Sequence, residues 1–519
     1  MLFPGESTCA PGGWVGCANG FVPAASGWGC EPVLPAQPCS GATREALGET
    51  ACKPIGDCAA GVPADVDLFV DATGPQDATH FRSLAAAVAA AGSGAKIFLA
   101  AGSYAEPLTL TRPVTLVGAC PARVSIVGPG GVVASTIRVN TTGVVLERLT
   151  LRSGYVGLSI AGGGSVVARQ VVIDGAGAAA VSLAEAGASV TLSDCAIRDA
   201  FPVSNGSGYG VTVQNGSTAT LTDCALVGNH VTALRASGNG STILAASVVV
   251  RGTKPSPQYD WGRAAVAQRA ARLELRRAAL LDAYETGVVV IDDSIGVLED
   301  VVVSNTVPNA ANLFGRAVNV ADFSRLTLLR STLSHNRDAA LMLAGASAFG
   351  DVRNSVIVDT QGSADGVGRG ITVQEGAFLA LSESAVVNSA EVGIAVVDVD
   401  SFATLGRSAV LGTGPDARGQ FGHGLLMGLS SLTAKGCHLA GNSAIGLALG
   451  PGAFLGEDLT ITGNGTGLFA DTRVSLKVSD TIPASAGADE AFLSSSSRFI
   501  GNTAPNGSGL LVLPPGLGR

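Results

Sequence analysis

The sequence predicts an all-β solenoid, a single chain wound into coils whose strands stack in parallel. Three observations carry this. First, a block reading apolar, two polar, small, any, apolar recurs, as in Leu192-Ser193-Asp194-Cys195-Ala196-Ile197, Leu221-Thr222-Asp223-Cys224-Ala225-Leu226 and Leu381-Ser382-Glu383-Ser384-Ala385-Val386. Its small residue falls at 149, 171, 195, 224, 248, 278, 301, 331, 355, 384, 408, 437 and 459, so the repeat is about 26 residues long. Second, no helical periodicity fills the intervals, which are short β-type runs broken by Gly, Ser and Asn. Third, 70 glycines and only 14% charged residues in 519 suit many tight corners around one continuous core. Length alone would suggest three or four domains; the repeat replaces them with one solenoid.

The first 60 residues form a Cys-rich head. Six of ten cysteines lie there, Cys9, Cys17, Cys30, Cys39, Cys52 and Cys58, without a CxxC spacing, so they read as a disulfide-stapled module rather than a zinc site. Their connectivity is open among 15 possibilities. Disulfides imply an oxidising compartment and hence an extracellular or cell-envelope location, although residues 1–20 lack the basic start and apolar stretch of a signal peptide, so the leader is expected to be missing or removed.

Residues 61–142 supply a lead-in strand at Val66–Val70, a helix and the first coils. Asp77 or Thr79 is the expected cap, Phe81, Leu84 and Val88 share a face, and Gly92 ends the helix. Short strands follow at 97–99, 108–110, 114–117 and 124–127. Residues 143–470 are the regular coils, and 471–519 lose the period. Strands returning every 22–30 residues stack roughly 4.8 Å apart, giving an expected axis of roughly 58 Å and inward columns of like residues. Leu149, Val171, Cys195, Cys224, Val248, Ala278, Ser331, Ser355, Ser384, Ser408 and Cys437 form the anchor column. Asn229, Asn305, Asn336, Asn388, Asn442 and Asn464, just after the block, are expected to turn the corners, because Asn tolerates left-handed dihedrals.

The segment 80–120, HFRSLAAAVAAAGSGAKIFLAAGSYAEPLTLTRPVTLVGAC, resembles the capping helix, first strand and G-x-Y-x-E-x-L-x-L turn that open right-handed parallel β-helices of the pectin lyase-like superfamily. The resemblance covers about residues 66–500 and implies a single-stranded right-handed parallel β-helix. The Cys-rich head ahead of such a helix is similar to envelope or lipoprotein-like proteins of myxobacteria, although no lipobox surrounds Cys9. The superfamily holds polysaccharide lyases, hydrolases and esterases alongside adhesins and tailspikes, so the fold leaves function open.

A second period is superimposed on the first. Long and short coils alternate, giving a double repeat of about 53 residues, and each long coil carries an insertion before a G-x-G/A-V/I-x-V strand. Its variable position holds Tyr209, Arg263, Arg316, Arg369 and His423, and the insertions add Tyr259, Trp261, Phe314 and Phe421. These nine residues are the candidate ligand-binding set: guanidinium forks for carboxylate or sulfate groups, rings for stacking on sugars. The competing expectation is that each Arg ties down its own insertion, to Asp260, Asp365 or Asp416.

Catalytic signals are weak. Asp292-Asp293 and Gly422-His423-Gly424 lie about 130 residues apart, whereas in polygalacturonases the corresponding motifs sit about one coil apart, and the repeat itself accounts for Gly-His-Gly. Asp292, Asp322, Glu375, Asp398 and Asp400 could form a Ca²⁺ ladder, but they do not occupy consecutive coils; a solvated turn is the simpler expectation, and no cofactor is assigned. Net charge of −9 gives no pull toward nucleic acid, and no apolar run is long enough to span a membrane. The expected function is therefore a non-catalytic exported or cell-surface β-helix presenting loops to an acidic polysaccharide or other cell-surface glycan. The alternative is a polysaccharide lyase or hydrolase.

Overall fold

The computed structural model describes residues 16–129, 134–152, 154–204, 206–514 and 516–517. Among the described residues the chain is a right-handed parallel β-helix with one short helix and a disulfide-linked N-terminal segment. It divides into two compact units, one of Pro32–Tyr284 and one of Glu285 onward together with the residues up to Glu31. Among the described residues no helix is long and apolar enough to cross a membrane.

In the unit of Pro32–Tyr284 the helix runs Leu84–Ala90, starting later than the sequence suggests. Ser83 is the N-cap, its hydroxyl accepting from the Ala86 amide. Glu106 completes the cap from the G-x-Y-x-E turn, accepting from the Leu84 amide (3.2 Å), the Ala85 amide (2.8 Å) and the Ser83 hydroxyl. That carboxylate at the N-terminus both satisfies orphan amides and opposes the helix dipole. Asp77 is already engaged, accepting from the amides of Thr79 and His80, and Phe81 belongs to a strand.

Each coil of this unit repeats one plan. A five-residue strand such as Ser189–Ser193 ends in a left-handed residue, Asp194 (φ 54°), followed by the anchor, Cys195. A three-residue strand, Ala196–Arg198, leads to a second left-handed residue, Asp199 (φ 50°), and the coil closes through a strand of a second sheet, Tyr209–Gln214. Coils stack in register, as in Ser189↔Thr218 and Val211↔Leu234. The anchors Leu149, Val171, Cys195, Cys224, Val248 and Ala278 are all buried. Arg148, Gln170, Asp223, Ser247 and Arg277 repeat the left-handed conformation immediately before the anchor. A single left-handed residue redirects an extended chain sharply, which is why corners rather than loops separate these strands.

The unit beginning at Glu285 follows the same plan. Its anchors Val301, Ser331, Ser355, Ser384, Ser408, Cys437 and Leu459 are at most 3% exposed. The serines form a ladder: the amides of Ser331, Ser355 and Ser384 donate to the hydroxyls of Ser355, Ser384 and Ser408 at 3.1–3.3 Å. Each hydroxyl then donates to the carbonyl two residues back. The Cys437 thiol donates in the same slot, to the Lys435 carbonyl.

The corners differ from expectation. Asn305 and Asn388 do turn the chain (φ 58° and 53°), but Asn229, Asn336, Asn442 and Asn464 stand one residue past a corner made by Gly228, His335, Gly441 and Gly463. They point inward and are buried. The Thr413 amide donates to Asn442 Oδ1, the Asn442 amide to Asn464 Oδ1, and both side-chain amides donate to carbonyls of the preceding coil. The buried primary amide satisfies backbone groups that the corner frees. Beyond residue 466 the coil continues after a longer excursion, with Thr460 pairing Arg498 and Thr466 pairing Ala504.

The N-terminal segment is bound to the coils rather than closed on itself. Cys17–Cys30 and Cys39–Cys52 are local, but Cys58 bonds Cys120 in the first coils, which departs from a module built only from head cysteines; Cys9 lies outside the described residues. Within the first unit Ile55 packs on Val172 and Ala196, and Arg44 pairs with Asp194 at 2.5 Å. Within the second, Trp28 covers Val356, Val358, Ala385 and Val387. These outward residues are apolar because they are covered. The C-terminal tail does the same for the second sheet, where Leu511, Leu513 and Leu517 pack on the outward Ala395, Leu426 and Ala448.

Candidate functional site

The variable positions of the long coils do fall in columns. In the first unit Tyr209 and Arg263 flank Thr232, which pairs with Arg263. In the second, Arg316, Arg369 and His423 alternate with Ala339 and Val392. Their side chains have different environments. Arg316 donates from Nε to Asp338 Oδ2 and from Nη1 to Asn319 Oδ1 at 2.9 Å, with its guanidinium 4.9 Å from the Phe314 ring centre. Arg369 donates to Glu391 Oε2 at 2.7 Å, both groups being buried; burial pushes the Glu391 carboxyl up while Arg369 pulls it back. Each acid sits one short coil on, not in the insertion. The stacked register brings Asp338 directly beside Arg316 and Glu391 directly beside Arg369. His423 is 7% exposed and meets Phe421 edge-on at 5.9 Å, and burial lowers its pKa to about 4.

The insertions themselves stack. Arg418 donates to the Asp365 carbonyl at 2.9 Å, and the Ala364 amide to the Asn312 carbonyl. Asp292, Asp322, Glu375, Asp398 and Asp400 are left-handed corner residues, and among the described residues no group of three or more His, Cys, Asp or Glu is placed to hold a metal ion.

A different arrangement appears in the first unit. Tyr155, Tyr209 and Tyr259 line one groove of about 420 Å³ with Ser182, Thr212, Gln214 and Arg235. The whole chain has five tyrosines, and three of them converge here. Tyr259 stacks on Trp261 at 4.8 Å, and the Arg263 guanidinium lies 4.7 Å from the Trp261 ring centre, so the insertion presents a braced aromatic wall. The floor is the outward column of the second sheet, with Ser182↔Thr212 and Thr212↔Arg235 in register. Arg235 is half-buried, donates to Thr212 Oγ1 at 3.3 Å and lies 5.2 Å from the Tyr209 ring centre. Burial lowers its pKa, with Arg269 adding to the effect, and among the described residues no carboxylate forms an ion pair with it. A partly desolvated guanidinium with unused donors is a site for a planar anion.

Comparison with known proteins adds the following. No family model matches the chain, and no curated protein does. Among solved structures, the pectin methylesterase of Aspergillus niger is 15% identical over 46% of this chain and 86% of its own, with a TM-score of 0.35. The structure of the Vag8–C1 inhibitor complex is 15% identical over 81% of this chain and 100% of its own, at 0.42. The catalytic domain of a GH87 α-1,3-glucanase is 12% identical over 69% and 67%, at 0.35. None of these assigns an activity.

Of the groove, sequence reading located Tyr209, Tyr259, Trp261 and Arg263 but not Arg235, Tyr155, Thr212 or Gln214. The missed residues lie on short coils or on the far side of the strand, outside the 53-residue register that singled out the others. Counting alternate positions along Thr232–Ser237 would have placed Arg235 outward beside Thr212.

Proposed function

We propose that this is a non-catalytic glycan-binding β-helix protein that holds an acidic polysaccharide in the Tyr155–Tyr209–Tyr259 groove. The observation that carries it is the convergence of three scarce tyrosines around Arg235, a half-buried guanidinium with no carboxylate ion-paired to it among the described residues. Tyrosine offers a flat apolar face for a pyranose and a hydroxyl for its rim, and the guanidinium supplies a charge-assisted fork for a carboxylate or sulfate. Three disulfides support folding in an oxidising compartment, which suits an exported protein of the envelope kind that the Cys-rich head resembles.

Calorimetric titration with a polyuronate, a sulfated glycan and a neutral glucan tests this. Binding of an acidic polymer that Tyr155→Ala with Tyr259→Ala abolishes, at unchanged thermal midpoint, is the expected result. Equal binding by that double variant sinks the reading.

A second reading, a polysaccharide lyase or hydrolase, is favoured by one observation in the other unit. An open groove of about 630 Å³ is lined by His335, Asp359 and Asp416 together with Arg337, and His335 Nε2 stands 3.5 Å from Asp359. Appearance of reducing ends or unsaturated sugars during incubation with the same polymers would replace the binding-only reading.

A further inference from the structure

The outward column that floors the tyrosine groove extends beyond it. In consecutive coils it reads Arg138, Ser159, Ser182, Thr212 and Arg235, each paired in register with the next. This five-coil stretch, which Thr109 precedes and Val266 follows in register, has an Arg at each end and three hydroxyl residues between. Four inter-strand steps separate the two Arg, or about 19 Å. Arg138 is exposed; its Nε donates to Asn140 Oδ1 at 3.2 Å, and among the described residues it too forms no ion pair with a carboxylate. The flank beside the column is Val156, Ala179 and Tyr209, apolar and aromatic rather than charged. In the other unit the corresponding column reads Val289, Asn319, Met342 and Thr372, without an Arg, and then Ala395, Leu426 and Ala448, which are apolar and covered by the tail. A polar column in which Arg138, Ser159, Ser182 and Arg235 are at least partly exposed, Thr212 is buried and bonded to Arg235, and, among the described residues, no carboxylate forms an ion pair with either guanidinium is a built surface.

Resting on the proposed glycan-binding reading, we infer that the site selects a linear polysaccharide with sparse negative charge, gripped at two anions about 19 Å apart along the coil axis. A pyranose unit in an extended chain advances about as far as one inter-strand step, so the ligand lays about one sugar on each coil and about five across the column. The two end sugars carry the anions, on Arg138 and Arg235. The middle three lie over Ser159, Ser182 and Thr212, a floor without positive charge on which the part-exposed Ser159 and Ser182 offer hydrogen bonds to sugar hydroxyls while the buried Thr212 accepts from Arg235. A polymer charged on every sugar would place three anions over this neutral floor and lose their hydration uncompensated. Specificity thus comes from the spacing of charge as much as from its sign.

The test uses the full chain and β-1,4-glucan pentasaccharides carrying C6 carboxylates on the first ring only, on the first and fifth rings, or on all five. Rings one and five of such a chain face the same way. The doubly charged probe should bind about tenfold or more tighter than the singly charged one, since a second charge-assisted contact is added. Arg138→Gln should erase that difference, and Arg138→Lys should recover part of it. Arg235→Gln should weaken both charged probes. Equal affinity for the singly and doubly charged probes, tightest binding by the fully charged probe, or no effect of Arg138→Gln on the difference overturns the two-point inference and leaves glycan binding standing. Failure of any acidic glycan, including long polymers, to bind overturns the underlying reading as well. Each variant's circular dichroism and thermal midpoint, expected unchanged for these outward residues, separate lost contacts from unfolding.

Discussion

Arg369 and Glu391 form a buried pair: Nε donates to Oε2 at 2.7 Å, and neither residue is more than 4% exposed. The pair belongs to packing, since both groups are buried and each helps offset the other's loss of water. Arg369→Ala should therefore destabilise by roughly 3–5 kcal/mol in denaturant unfolding, because a buried carboxylate is left alone. Removing both charges with Arg369→Met and Glu391→Leu should recover most of that. Glycan affinity in the tyrosine groove should not move in either variant.

The tyrosine groove makes the opposite demand. Tyr155→Ala should reduce affinity for an acidic polymer about tenfold, the size of one lost stacking contact of about 1.4 kcal/mol, with a thermal midpoint within a degree or two of the parent. Trp261→Ala should act more weakly, since it braces Tyr259 from behind. Titration calorimetry beside differential scanning calorimetry reads both.

His423 gives the fold a pH dependence whose sign is fixed by burial. Its native pKa is lowered to about 4, below the ordinary value of about 6.5, so the unfolded chain takes up a proton that the native chain resists. The stability this residue contributes is whole above pH 6.5 and drains away as pH falls toward 4, by up to about 3 kcal/mol. His423→Phe should flatten the unfolding free energy between those limits. An unchanged slope would show that the imidazole protonates in place.

The serine ladder predicts which substitutions the core accepts. Ser384→Ala leaves the Ser355 amide without its acceptor and should cost about 1–3 kcal/mol. Ser384→Cys should cost less, because Cys195, Cys224 and Cys437 occupy equivalent slots and donate to the carbonyl two residues back. Chemical denaturation of the two variants ranks them directly.

Much of this architecture is legible in the repeat. The anchor column, the alternation of long and short coils and the register of the row all follow from spacing, since a strand periodicity of two and a fixed coil length leave little choice of which residues face inward. What spacing does not carry is pairing across the stack. Arg369 and Glu391 are 22 residues apart and Arg44 and Asp194 150 apart, so neither partner is implied by local pattern. The corners show the same limit. Asn442 and Gly441 are neighbours in sequence, and only the backbone dihedrals reveal that Gly turns the chain while Asn fills the core. The groove stayed hidden because its floor, Ser182, Thr212 and Arg235, is drawn from three coils, one residue from each.

The tie from a long coil to the acid of the next short coil also sets the grain at which this molecule can grow or shrink. Excising one coil would place long against long and leave Arg316 without an acid in reach. Excising residues 331–383, which joins Arg330 to Ser384, would bring Arg316 opposite Glu391 instead of Asp338, a like exchange, and would keep serine on serine in the ladder. The heritable building block is thus the coil pair, and lineages of such proteins should differ in length by multiples of about 53 residues.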